Sequence, residues 1–101
     1  MVRIVLMCSQ GASTSILVQA MKKAAVSQGI ECSIEAFSVN ELAKVKDHAD
    51  VILLGPQVKY MVAQVAEKVS CTVDSIEMMK YGMMDGAGVL ADAIAAIEER
   101  G

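Results

Sequence analysis

Short runs of β-branched and aliphatic residues, each followed by a stripe of helical period, limit what this chain can fold into. Arg3–Met7 and Val51–Leu54 carry no polar alternation, so each reads as a strand buried on both faces. Leu17, Ala20, Met21 and Ala24 repeat at i, i+3, i+4 and i+7, a helix for which Gly29 is the stop signal. Ser33–Phe37 is a second strand, placed nearer a sheet edge by Glu35. Ser38 and Glu41 have the spacing of a capping box for a short helix reaching about Lys46. Gly55-Pro56 closes the third strand, and Val58, Met61, Val62 and Val65 form the next helical stripe. Cys71–Val73 is a short fourth strand, and Asp85 caps a last helix with Leu90, Ala93, Ile94 and Ile97 on its inner face. Alternation at this spacing predicts βαβ units with right-handed crossovers. The expected architecture is α/β: a single-domain three-layer sandwich over residues 1–101, with a four-stranded parallel sheet flanked by helices. A chain of 101 residues can build one such core and not two. With aromatics at 3%, that core must be aliphatic and methionine-rich.

The segment after the first strand is where chemistry is expected. In parallel sheets, ligands bind beyond the carboxyl ends of the strands, near the point where strand order reverses. Cys8 stands there, followed by Ser9, Gln10, Gly11, Ala12, Ser13, Thr14 and Ser15 and then by the first helix. Small residues leave backbone N–H groups uncovered, Gly11 permits close approach to a ligand, and a helix N-terminus favours negative charge. The segment reads as a phosphate-binding loop beside a thiol, with Cys8 catalytic and Ser9 through Ser15 holding phosphate. The hydroxyls of Ser13, Thr14 and Ser15 have an equal reading as helix caps.

Several classes of function are disfavoured. Phosphotyrosine phosphatases with a cysteine on such a loop carry an arginine six positions later, as a clamp for phosphate. Here that position is Thr14, and the only arginines, Arg3 and Arg100, stand at the ends of the chain. The loop also has no Asp or Glu to act as a general acid. Acceptance and onward transfer of a phosphoryl group fit better than hydrolysis. No carboxylate cluster lies near the loop, so no metal is expected, nor any cofactor. Neither G-x-G-x-x-G nor a lysine-bearing P-loop is present, which argues against nucleotides. A net charge of -3 argues against nucleic acid. No apolar run approaches the ~18 residues of a membrane span. Residues 1–7 lack the features of a signal peptide, so a cytoplasmic location is expected. Cys8, Cys32 and Cys71 are too widely spaced for a zinc site or a C-x-x-C pair. Cys32 and Cys71 read as small buried hydrophobes.

With these residues in view, the chain resembles the IIB component of the bacterial phosphoenolpyruvate-dependent sugar phosphotransferase system, lactose/cellobiose (N,N′-diacetylchitobiose) type. The segments that carry the resemblance are Cys8-Ser9-Gln10-Gly11-Ala12-Ser13-Thr14-Ser15, residues 49–61 (ADVILLGPQVKYM), Tyr81-Gly82 and Asp85-Gly86-Ala87-Gly88-Val89-Leu90. Gln10 and Ala12 depart from the Ala and Met usual in that family. The sheet it implies resembles those of low-molecular-weight tyrosine phosphatases and flavodoxin-like proteins. The activity it implies is a relay. A phosphohistidine on enzyme IIA donates to Cys8, and the phosphocysteine passes the group to a disaccharide held by membrane-embedded enzyme IIC as the sugar enters. Cellobiose or chitobiose-like sugars come first and lactose next. The resemblance further implies transient membrane association through IIC, no membrane insertion of its own and no nucleic acid partner. A monomer suits a shuttle that alternates partners. Gln57, Tyr60 and Tyr81 are candidate rim residues, with a turn and half-buried tyrosines as the plainer alternatives. Met78-Met79 and Met83-Met84 are either docking surface or core filler. His48 reads as a solvated loop histidine. A phosphatase-like hydrolase and a non-catalytic regulatory module of the same fold remain as alternative functions.

Overall fold

The computed structural model describes residues 1–8 and 12–100, with the side chains of all but Ala12, Ser13 and Arg100. Four parallel strands, β1 (Val2–Cys8), β2 (Cys32–Ser38), β3 (Val51–Leu54) and β4 (Thr72–Ser75), form one sheet in the order β2-β1-β3-β4. Helices α1 (Ala12–Gln28), α2 (Leu42–Val45), α3 (Val62–Lys68), α4 (Met78–Gly82) and α5 (Gly86–Arg100) connect or follow them, with 3-10 turns at Val39–Glu41 and Pro56–Met61. From β1 the chain steps one way to β2, then crosses back to β3 and on to β4. Right-handed crossovers in opposite directions place their helices on opposite faces. α1 therefore covers one face, and α2 and α3 cover the other. α5 returns to pack beside α1.

Side-chain alternation along the strands sorts the core into two halves. Ile4, Leu6, Ile34, Val51 and Leu53 bury against Leu17, Met21, Val89, Leu90 and Ala93 of α1 and α5. Val5, Met7, Ile52 and Leu54 bury against Val45, Val58 and Val65 on the other side. The central strands β1 and β3 are thus buried on both faces, as their unbroken apolar runs require. Glu35 is solvent-exposed on β2, an edge strand.

The punctuation between elements follows local chemistry. Gly29, at φ +69, ends α1 in a Schellman motif: the amide of Ile30 donates to the carbonyl of Ala25 at 2.9 Å and that of Gly29 to Val26 at 3.2 Å. Ser38 and Glu41 form the expected capping box, with the Ser38 amide 3.1 Å from Glu41 Oε1. That amide, and then Lys44, hold the Glu41 carboxyl below the ordinary carboxylate range. Stabilisation by this box is therefore present above the usual glutamate pKa and is lost as pH falls through the lowered one. Asp85 caps α5, its Oδ1 accepting from the amide of Gly88 at 3.0 Å.

The sequence expectation and the structure part company in three places. The fourth strand runs Thr72–Ser75, so Cys71 precedes it rather than opening it. The stripe that starts at Val58 is a 3-10 turn before it becomes α3, because Pro56 starts the turn and Val58 itself has non-helical backbone angles (φ -121°). α4 is an added short helix. It ends in a Schellman-type turn on Met84, a non-glycine residue at φ 52, with the Asp85 amide 2.9 Å from the Lys80 carbonyl. Left-handed backbone costs a residue with a side chain about 1 kcal/mol. Packing of Met84 against the core offsets that cost.

Among the described residues, one buried hydroxyl has no partner: Thr72 Oγ1, on the edge strand β4. Thr72→Val keeps the shape and removes the unsatisfied group. It is expected to raise stability by about 1 kcal/mol, read as a higher urea midpoint with an unchanged m-value.

Candidate functional site

At its carboxyl end β1 runs one residue past its pairing with β3. The register runs from Ile4 opposite Val51 to Met7 opposite Leu54, and Cys8 lies just beyond, still paired with Ser38 of β2. Strand order reverses between β1 and β3, so Cys8 stands at the carboxyl end of the sheet at the switch point. Alternation along β1 then decides where its side chain goes. Cys8 shares the parity of Ile4 and Leu6, the residues that face α1.

The consequence is a direct contact. Cys8 Sγ lies 2.8 Å from Thr14 Oγ1, in the first turn of α1. Either atom can be the donor. Cys8 is 3% exposed and Thr14 1%, so the pair is buried. The first turn of α1 contains no acidic residue, so no carboxylate there offsets the positive end of a 17-residue helix. Arg3 is about five residues' rise, roughly 17 Å, from Cys8 along the strand. Its side chain pairs with Asp50 at 3.7 Å at the opposite edge of the sheet. It cannot serve as a phosphate clamp.

The turn after β3 forms the second wall. The amide of Gly55 donates to the carbonyl of Met7 at 2.8 Å, and this bond brings Gly55 against the sulfur-bearing residue. A Cβ on Gly55 would lie 3.3 Å from Cys8 Cβ and 3.1 Å from Gln57 Oε1. The Gln57 side chain can swing away, while the Cys8 Cβ must give by a few tenths of an ångström. Gly55→Ala is therefore expected to leave the fold intact, with stability changed by no more than about 1 kcal/mol. Any reaction at Cys8 should slow by about tenfold, since sub-ångström displacement of a reacting group is costly. Thermal melts read beside the rate of Cys8 modification check both halves.

The remaining candidates distribute as follows. Ser9, Gln10 and Gly11 lie outside the described residues, as do the side chains of Ala12 and Ser13. Ser15 is exposed on α1. Gln57 is exposed and leans over Gly55. Tyr60, in the same turn, is 75% exposed. Tyr81 is buried in the α1–α5 half of the core, so its ring serves packing first. Met78, Met79 and Met83 are exposed, whereas Met84 packs on the core, so the methionine segment is divided between surface and core. His48 is exposed in the turn after α2. None of the three cysteines is in a disulfide. Burial pushes the Cys32 thiol above its ordinary value, as suits a packing residue. The Gly55-Pro56-Gln57 turn, which sequence places beside Cys8 at the carboxyl end of the sheet, reaches it most closely through Gly55. Among the described residues, no group of three or more His, Cys, Asp or Glu is placed to hold a metal ion, and no helix is long and apolar enough to cross a membrane.

A cysteine at the switch point of a parallel sheet, in contact with the first turn of a helix, makes this an α/β protein with a thiol at a helix N-terminus. Residues 3–92 match the family described as PTS system, Lactose/Cellobiose specific IIB subunit, and the chain belongs to that family. An oligo-beta-mannoside-specific EIIB component of Bacillus subtilis (strain 168) is 37% identical over 98 residues, covering 94% of this chain and 95% of that protein. A cellobiose-specific EIIB component of Lactococcus lactis subsp. lactis (strain IL1403) is 42% identical over 98 residues, covering 89% and 91%. Among solved structures, a cellobiose-specific phosphotransferase IIB component from Borrelia burgdorferi superposes with a TM-score of 0.81 at 37% identity, covering 97% of this chain and 93% of that one. A lactose-specific IIB component domain from Streptococcus pneumoniae gives a TM-score of 0.82 at 15% identity, covering 94% and 96%, which supports the fold.

Proposed function

We propose that this chain is a phosphocarrier that takes a phosphoryl group from phosphohistidine of enzyme IIA onto Cys8 and passes it to a disaccharide entering through enzyme IIC. The observation that carries this reading is the Cys8–Thr14 contact: a thiol held at the amide end of α1, where no acidic residue competes with an incoming anion. In the first step the P–N bond of the donor breaks as an S–P bond forms. The sulfur supplies the electron pair, and the imidazole departs with the pair from the P–N bond. First-turn amides of α1, which have no partner within the helix, supply hydrogen bonds to the phosphoryl oxygens. In the second step a sugar oxygen displaces the sulfur.

On this reading access to the Cys8 sulfur must open to admit a group of phosphoryl size, since Cys8 is 3% exposed at rest. Residues 9–15 form the phosphate cradle, and Gln57 and Tyr60 the rim. Exposed Tyr60, Met78, Met79 and Met83 follow the carboxyl ends of β3 and β4, on the side of the sheet where Cys8 lies. They offer apolar area to IIA and IIC in turn, and methionine adapts to more than one partner. The chain then works as one cytoplasmic domain over residues 1–101, a monomer that reaches the membrane only through IIC. Relatives named for cellobiose and for oligo-beta-mannosides support a β-linked disaccharide, and a relative named for galactose adds galactosides to the sugars to be tried. A panel of such sugars, scored for uptake in cells carrying this chain, identifies which.

The direct test is intact-mass measurement after incubation with phosphoenolpyruvate, the general phosphotransferase proteins and IIA. One phosphoryl group, mapped to the peptide containing Cys8, is expected. No mass gain, or steady hydrolysis of p-nitrophenyl phosphate at Cys8, would overturn the proposal in favour of a regulatory module or a hydrolase.

A further inference from the structure

Thr14 occupies the position where a phosphatase of this loop type carries its phosphate clamp, yet its hydroxyl is turned to sulfur. We infer that Thr14 is a positioning residue for the leaving group: its hydroxyl donates to the Cys8 thiolate and strengthens as the S–P bond breaks. The inference rests on the phosphocarrier reading above and assigns a role within it.

A hydroxyl can accept or donate, so its bond to Cys8 survives a change in sulfur protonation. Beside a thiol it accepts S–H, and beside a thiolate it donates. In phosphocysteine the sulfur has two covalent bonds and little charge, and the hydroxyl gains little from it. During transfer to sugar, the sugar oxygen forms a P–O bond and loses its proton to solvent. The S–P electron pair stays on sulfur, and negative charge grows there. A donor 2.8 Å away then binds the transition state more tightly than the phosphocysteine, which is the condition for acceleration. Burial of Thr14 to 1% exposure keeps water from competing for that hydroxyl. The phosphoryl oxygens are left to the first-turn amides of α1. Thr14 thus serves the bond that breaks rather than the group that moves.

Two substitutions separate the hydroxyl from the shape. Thr14→Val keeps the volume and removes the donor; Thr14→Ser keeps the donor and removes a methyl. Two rates are read for each. One is iodoacetamide alkylation of Cys8 at neutral pH, quantified on its own peptide so that Cys32 and Cys71 do not interfere. The other is loss of the phosphoryl group to sugar in IIC-containing vesicles. Thr14→Val is expected to slow both by about tenfold to a hundredfold, the range for a hydrogen bond to a charged group. Thr14→Ser is expected to stay close to the unsubstituted protein. Equal rates for Thr14→Val and the parent, or a loss in Thr14→Ser as large as in Thr14→Val, would overturn the assignment. If the parent takes up no phosphoryl group at all, the phosphocarrier reading fails, and the alkylation rates still decide whether Thr14 controls the sulfur.

Discussion

Gly86→Ala is expected to destabilise the protein by about 3 kcal/mol and to lower its melting temperature by about 15 °C. Gly86 is the first residue of α5, and it lies against the backbone of α1. A Cβ there would meet the carbonyl carbon of Ala20 and would lie 2.6 Å from both the Ala20 carbonyl oxygen and the Met21 amide. These are backbone atoms in the middle of a helix and cannot swing aside. The helices would have to separate, opening the packing of Leu17, Met21, Val89, Leu90 and Ala93. Gly82→Ala is the control, because nothing lies within 4 Å of its added carbon, and its melting temperature should match or slightly exceed the parent's. A Gly86→Ala protein that melts within a few degrees of the parent would show that α1 and α5 do not pack this closely.

Cys8→Ser is expected to abolish phosphoryl acceptance, with a loss of about a thousandfold or more, and to leave the fold intact. Serine fits the strand end and can still hydrogen-bond Thr14, so stability should change by about 1 kcal/mol or less. Its hydroxyl stays protonated at neutral pH, and the site offers no described base to activate it, whereas a thiol reaches the nucleophilic anion readily. Cys32→Ser and Cys71→Ser, by contrast, should retain transfer. Intact-mass measurement of all three, beside sugar uptake in cells carrying them, checks the expectation. Retained transfer by Cys8→Ser would move the phosphoryl group elsewhere on the chain.

What could be read in the residues beforehand was whatever local chemistry determines. The buried runs at Ile4 and Val51, the Ser38 capping box, the Gly29 stop and the Asp85 cap all depend on neighbours in the chain, and each stands in the structure. The alternation of strand and helix was enough for the parallel sheet and for Cys8 at its carboxyl edge. What escaped was set by distant packing. Helix α4 is short and held by Met84, whose left-handed backbone is tolerated only because its side chain reaches the core. β4 begins one residue later than expected because pairing with β3 fixes Thr72 opposite Val51. Tyr81 could be offered only as a rim residue or a half-buried tyrosine; its ring joins the α1–α5 core, a placement made by a helix that no periodicity announced. Gly86, the first residue of α5 after the Asp85 cap, is a point of close backbone approach that no local pattern announced. At the site, the cysteine was plain from its place after a strand. The pairing of its sulfur with Thr14 needed the handedness of the crossover and the parity of the strand together.

That parity makes the site intolerant of changes in chain length. Inserting one residue between Leu6 and Cys8 would send the sulfur to the layer of Val58 and Val65, away from Thr14. Inserting two would restore its facing but carry it roughly 7 Å past the helix end. Side chains along β1 can be exchanged within the limits of packing, whereas the spacing between the paired residues Ile4–Met7 and Cys8 cannot be changed. The turn joining α2 to β3, at the other edge of the sheet, is free of this arithmetic and is the natural place for a tag or a tolerated insertion.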